Sequence, residues 1–456
     1  LKKNSSDEFQ PMLTLDTQLE SIVPSRVEGR IVRVVGMTAA AADFPAPVGA
    51  VVEVESQTGE VLEAEVIGFR DELTLLYLLS TASGVRHGNR VRLRRTARWL
   101  RVGSAMLGRV FDAHGQTIDG RPAPALAERV PLHRKPIAAV ERPRINETLS
   151  TGVRAIDGLL TCGKGQRMGV FAGSGVGKSV TLGMMSRYTA ADVNVIALIG
   201  ERGREVNEFI ERDLGPEGLA RSVVVVATSD EPALSRVHAA FTATSIAEYF
   251  RDLGKDVLLI MDSLTRLALA QREIGLSAGE PPTTRGFPPS VFAMMPRLLE
   301  RAGRTPQGSI TGFYSVLVEG DDPNEPIADT VRGLLDGHTW LSRKLAARAH
   351  YPAIDVLESI SRLMTEITPE EHRRGAQVVR ELLSAYREHE DLISIGAYRR
   401  GSNRLVDLAI DLQAELNGFL RQRIDERSSV TQAAEALQLL QQKVLSRPAA
   451  PTSGAA

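Results

Sequence analysis

Phe171-Ala-Gly-Ser-Gly-Val-Gly-Lys-Ser179 sets three glycines, a lysine and a serine at the spacing that cradles the phosphates of a nucleoside triphosphate. Gly173, Gly175 and Gly177 let successive backbone N–H groups turn inward, and Ser174, Val176 and Val180 complete the binding segment. Lys178 is placed to reach the β and γ oxygens, and the Ser179 hydroxyl to ligate Mg²⁺. The position that is usually the first glycine is Ala172, which serves equally if its φ stays negative. A glycine-rich turn that bound nothing would not require Lys-Ser at the start of a helix directly after a buried strand.

Two further runs carry carboxylates to the same kind of place. Val257-Leu-Leu-Ile-Met-Asp262 is an apolar strand ending in an acid, the arrangement that holds Mg²⁺ through water. The bland reading is that Asp262 caps the next helix, a task Ser263 would also perform. Gly200-Glu-Arg-Gly-Arg-Glu205 follows the strand-like run 193–199, so Glu201 leaves the sheet where it could polarise an attacking water, with Arg202 and Arg266 as candidate cations. A solvated helix start would show the same charges, and spacing alone does not choose.

The elements that must position these residues can be read along the rest of the chain. Its 456 residues, 43% hydrophobic, are enough for two to three domains. A formal net charge of −1 gives no global reason to bind nucleic acid. The one cysteine, Cys162, and the lack of a secretory signal point to a reducing cytoplasm, and no apolar stretch is long enough to span a bilayer, so any membrane contact is expected to be peripheral. The chain opens on Leu1, and its extreme N-terminus is expected to be truncated or altered.

Residues 1–25 place Phe9, Met12, Leu13, Leu19 and Ile22 at helical spacing and read as an amphipathic arm, docked on its own domain or offered to a partner or membrane surface. Residues 26–97 hold five short β-runs, 29–35, 50–55, 62–67, 73–79 and 90–94, which predict a small closed β-barrel suited to assembly. In residues 98–365 the runs 168–172, 193–200, 222–228, 257–262 and 309–318 alternate with helical stretches, predicting an α/β domain with a mostly parallel sheet and its ligand at the strands' carboxyl ends. Residues 366–446 read as a helical domain, with helices over 370–386, 405–420 and 433–445, before a disordered Pro/Ala/Ser tail at 447–456.

Taken together, the segments 152–160, 165–179, 198–205 and Asp262-Ser-Leu-Thr-Arg266 closely resemble the ATPases of type III protein export, as do 270–274, 279–282, 319–322 and Tyr351-Pro-Ala-Ile-Asp355. The resemblance is dense from Leu107 to Met364, and the loop 171–185 is most similar to the flagellar branch. It implies a barrel, a RecA-like P-loop domain and a helical C-terminal domain, as in the catalytic subunits of rotary ATP synthases. It implies Glu201 as the catalytic carboxylate, Arg202 and Arg266 near the γ-phosphate, Tyr351 stacked on adenine, and Arg362 of Ser359-Ile-Ser-Arg362 as a finger in a neighbour's site within a homohexamer. ATP and Mg²⁺ are the implied ligands. The implied partners are a stator-like regulator at the N-terminal arm, export chaperones and their substrates, and the components of the export gate at the inner membrane.

Competing readings are a virulence export ATPase, a rotary ATP synthase subunit, a hexameric nucleic-acid translocase and a regulatory module without turnover. A synthase subunit would alternate with a non-catalytic homologue, whereas Glu201 and Arg362 stand in one chain. A translocase would need aromatic platforms in a basic groove, and aromatic residues make up 5% of the chain. A module without turnover would not need the full catalytic set.

Overall fold

The computed structural model describes residues 27–318, 320, 322 and 325–447. The expected arm at 1–25 and the tail beyond Arg447 lie outside them. The chain divides into two compact units, one ending at Trp99 and including Leu276–Gly279, the other formed by Leu100–Gly275 and the residues from Glu280 onward.

The first unit is a closed barrel of six strands: β1 (Glu28–Val35), β2 (Thr38–Ala42), β3 (Val51–Glu55), β4 (Val61–Arg70), β5 (Leu73–Leu78) and β6 (Arg90–Arg95), in the order β1-β2-β5-β4-β3-β6. Alternation sets the two faces: in β6, Val91 is fully buried while Arg92 pairs outside with Glu28 at 2.9 Å and Glu55 at 3.0 Å. Half-exposed surface pairs of this kind contribute about 0–1 kcal/mol each, so the barrel rests on its interior of Ile31, Val52, Val54, Val66, Leu76 and Leu78. The sixth strand, β2, went unread in the sequence because Thr-Ala-Ala-Ala-Ala lacks the β-branched residues that mark strands. Its Ala39 and Ala41 are fully buried inside the barrel.

In the second unit, β7 (Arg109–Asp112), β8 (Arg167–Ala172), β9 (Val193–Glu201), β10 (Ser222–Thr228), β11 (Asp256–Asp262), β12 (Ser309–Leu317), β13 (Gly337–Leu341) and β14 (Ile354–Ser361) form one sheet in the order β14-β13-β8-β12-β11-β9-β10-β7, with Gly303–Arg304 as a short extra strand on β12. The pairings from β13 through β7 are parallel, and β14 runs antiparallel to β13. Every residue of β9 is buried, which is why the strand reads as a continuous apolar run. Strands β7, β13 and β14 leave no clear mark in the sequence: β7 is four residues long, and β13, next to the edge, and β14, at the edge, carry polar residues at partly exposed positions.

Helices α1 (Arg154–Leu159), α2 (Lys178–Tyr188), α3 (Gly203–Glu208), α4 (Ala233–Asp252) and α5 (Leu264–Ser277) connect the strands. The C-terminal region is α6 (Glu370–Ser394), α7 (Arg404–Asp411), α8 (Gln413–Leu420) and α9 (Val430–Ser446). Ala376, Val379 and Leu382 of α6 and Leu437 and Leu440 of α9 share a core with Ile156 and Leu159 of α1 and Met168 and Val170 of β8. The single helix expected over 405–420 is two, because buried Leu412 leaves helical geometry at φ −99° and ψ 8°. Among the described residues no helix is long and apolar enough to cross a membrane.

Candidate active site

Strand β8 delivers the chain to the glycine-rich loop. Ala172 is its last residue and keeps a negative φ, so its methyl group is tolerated where glycine is usual. Gly175 and Gly177 adopt φ of +78° and +87°; around Gly175 a methyl group would meet nothing, so the backbone angle alone demands glycine. Gly173 and Val176 are buried, whereas Ser174, Gly175 and Ser179 are exposed and Val180 is partly buried. Gly177 ends the loop as the N-cap of α2, and no side chain caps this helix. Its first-turn N–H groups and the positive end of its dipole therefore face the loop, which suits an anion.

The carboxyl ends of β9 and β11 bring the acids to the loop's lysine. Lys178 Nζ donates to Asp262 Oδ1 and lies 3.8 Å from Glu201 Oε1. Asp262 Oδ1 also accepts from Ser315 Oγ of β12 at 2.6 Å. From α5, Arg266 Nη1 donates to the Gly200 carbonyl and stands 3.1 Å from Glu201 Oε2. Lys178, Glu201, Asp262 and Arg266 thus form one alternating charge cluster whose two carboxylates are nearly out of solvent, at 11% and 4% side-chain exposure. Asp262 is buried against Lys178 and Ser315 and is no solvated cap.

Burial pushes the Glu201 carboxyl up to about 8, aided by its hydrogen bond with Glu205 and by the Asp262 charge, against the pull of Lys178 and Arg266. The same interaction holds Glu205 below the usual carboxylate range, so of the two carboxyls Glu201 is the one that favours its protonated form. Only ionised Glu201 can act as a base toward an attacking water or polarise it with a negative charge. The kcat/KM for ATP, which reports the free protein, is therefore expected to rise with pH through a limb near 8. Steady-state rates between pH 6 and 9.5 check this, and Glu205→Gln should move the limb to lower pH by replacing the charged acceptor that favours protonated Glu201 with a neutral amide, whose NH₂ can donate to the ionised form.

The remaining candidates fall in three places. An ideal methyl on Gly177 would lie 3.5 Å from Tyr351 Cε1, so the tyrosine ring, 47% exposed, stands against the loop. Arg202 turns outward at 79% side-chain exposure and pairs with Glu205 at 3.2 Å, leaving it outside the cluster that Arg266 joins. Arg362 lies farther off still. Its N–H bonds the Asp336 carbonyl at 3.0 Å, and the Asp336 N–H bonds the Arg167 carbonyl at 2.9 Å, so Arg362 sits on the row where β8 begins. The loop leaves at Ala172, about 16 Å farther along that strand. The Arg362 side chain is exposed and makes no hydrogen bond or ion pair among the described residues of its own chain.

Two residues of the cluster were not singled out in the sequence. Glu205 had a signal, since it lies one helical turn beyond Glu201 at the start of α3. Ser315 had none, because only the sheet order sets β12 beside β11.

A parallel α/β sheet with this loop, an adjoining lysine and strand-end carboxylates defines a P-loop nucleoside triphosphatase. Residues 152–361 match the ATP synthase alpha/beta family, nucleotide-binding domain, and residues 368–439 match the T3SS EscN ATPase C-terminal domain. The Flagellum-specific ATP synthase of Bacillus subtilis (strain 168) is 52% identical over 411 residues, 90% of this chain and 94% of its own length. The Type 3 secretion system ATPase of Xanthomonas euvesicatoria is 51% identical over 425 residues, covering 93% and 96%. The assembled ATPase EscN of the enteropathogenic E. coli type III secretion system superposes with a TM-score of 0.86 at 45% identity, over 90% of this chain and 99% of that one. The chain belongs to the flagellar and type III secretion ATPase family and is a P-loop ATPase.

Proposed function

We propose that this ATPase energises type III protein export, in the flagellar branch, as a homohexameric ring at the export gate. The observation that carries the reading is the division of the catalytic set within one chain: loop, Glu201, Asp262 and Arg266 at one end of the sheet, Arg362 at the other with no side-chain partner among the described residues. A chain with both halves, neither able to meet the other, is completed by an identical neighbour in a closed ring. The solved EscN assembly, and its complex with the central stalk EscO at a TM-score of 0.84, support an oligomer with a stalk- or stator-like regulator.

The residues fit a Mg²⁺ nucleotide. The uncapped start of α2 and the open space around Gly175 would receive phosphates, Lys178 would bond their oxygens, and the exposed Ser179 hydroxyl and buried Asp262 would hold the metal. Mg²⁺ supplies charge neutralisation on the β and γ oxygens. Glu201, once ionised, orients the attacking water, Arg266 fixes Glu201, and Tyr351 stacks on the base. Arg202, facing outward beside the site, is assigned to the γ-phosphate region of the nucleotide-bound ring.

The flagellar assignment rests on the loop residues 171–185, since relatives of both branches are about equally similar. The arm at 1–25 is assigned to the regulator and to peripheral contact with the inner membrane, and the ring to export chaperones, their substrates and gate components, with no nucleic-acid partner. Purification of the tagged protein from its own cells tests this. Flagellar export components are the expected companions; virulence export components or ATP synthase subunits in their place would overturn the assignment.

A further inference from the structure

Gln422 lies two residues beyond α8, in the connection to α9, and its side chain is buried. Its amide nitrogen donates to the Gly152 and Glu426 carbonyls, both at 2.8 Å, and its amide oxygen accepts from the Arg154 N–H at 2.7 Å. Both donors and the acceptor are used, and a flipped amide would set oxygen against two carbonyls and NH₂ against an N–H, so one orientation alone is possible. With the side chain tied down in this way, the Gln422 backbone N–H donates to the Tyr351 carbonyl at 3.0 Å.

The same segment is clasped from two other sides. The Arg154 guanidinium donates to the Phe419 and Arg421 carbonyls at 2.8 and 2.7 Å and pairs with Glu426 at 2.8 Å. From the last turn of α2, Arg187 Nη2 and the Tyr188 hydroxyl donate to the Ile424 carbonyl at 2.9 and 3.1 Å. The helix opened by the phosphate loop and the tyrosine standing against that loop are thereby referred to one anchor.

We propose that Gln422 is a positioning residue for the base subsite: its three side-chain hydrogen bonds fix the segment whose N–H holds Tyr351 over the loop, so it sets affinity for the purine base without touching nucleotide. The inference rests on Tyr351 as the base-stacking residue, and the test separates the two. A residue that only stabilised the fold would shift Tm and leave KM unmoved; one that acts through Tyr351 loses its influence when the ring is gone.

The full chain is compared with Gln422→Met, Tyr351→Ala and the double variant, reading kcat and KM for MgATP together with Tm. Each single substitution is expected to raise KM about 2- to 10-fold with kcat within about twofold, since only stacking shared by ground and transition states is lost. The double variant is expected to match Tyr351→Ala alone, the signature of two residues acting as one unit. If Tyr351→Ala raises KM but Gln422→Met does not, or if the two effects multiply, the positioning role of Gln422 is overturned and the stacking role stands. An unchanged KM in Tyr351→Ala overturns the stacking role and this inference with it. Should Gln422→Met not fold, Arg154→Met releases the same segment and decides in its place, with the same pattern expected.

Discussion

Glu201→Gln is expected to lower the kcat for ATP by about 10²- to 10⁴-fold while ATP still binds. The side chain keeps its shape, and the amide oxygen can still accept from Arg266, which also holds the Gly200 carbonyl. What is lost is the negative charge that orients and polarises a water. Above about pH 8, where Glu201 is ionised, ground-state affinity should be equal or tighter, because a carboxylate beside the γ-phosphate position repels it and its removal leaves Lys178 with Asp262 as its one anionic partner among the described residues. Rapid-quench turnover and equilibrium binding of ATP on the same preparation check both halves, and the pH limb near 8 should vanish with the residual rate. Near-normal turnover would remove Glu201 from the mechanism.

Arg362→Ala is expected to cost about 10³- to 10⁵-fold in turnover under conditions where rings persist, the range for a cation that stabilises the transferring phosphoryl group. Its position makes the loss transferable between chains. On the proposed reading a subunit lacking Arg362 would spoil its neighbour's site and one lacking Glu201 its own, so in randomly mixed rings of equal parts about one quarter of the sites would combine an intact acid with an intact finger. Mixing two inactive proteins should therefore restore roughly a quarter of wild-type activity, measured on rings verified to contain both. No recovery in such rings would show that Arg362 acts within its own chain or does not act at all.

The residues legible in the sequence share a property: each is fixed by its own strand end. Gly175, Gly177 and Lys178 come directly after β8, Glu201 closes β9 and Asp262 closes β11, so a one-dimensional pattern suffices to bring them to one edge of a parallel sheet. Residues whose placement depends on the turn after a strand are less legible. Arg202 and Glu201 are adjacent, yet the turn into α3 sends one guanidinium to solvent and keeps one carboxyl buried. Ser315 and Gln422 became visible only once β12 was set beside β11 and the α8–α9 connection beside the Tyr351 carbonyl. In the barrel, the alanine strand β2 escaped notice because its burial comes from closure and its residues have little strand preference of their own.

That closure has a consequence for how rings come and go. A barrel with β1 paired to both β2 and β6 presents no free strand edge, so no neighbour can be recruited through it by backbone hydrogen bonds, the contacts that make strand-added assemblies slow to separate. Whatever the barrels contribute to assembly must therefore be carried by side chains and not by an added strand, and any part of it that is ionic would weaken with salt. A ring whose barrels cannot exchange strands would come apart and re-form without unfolding them.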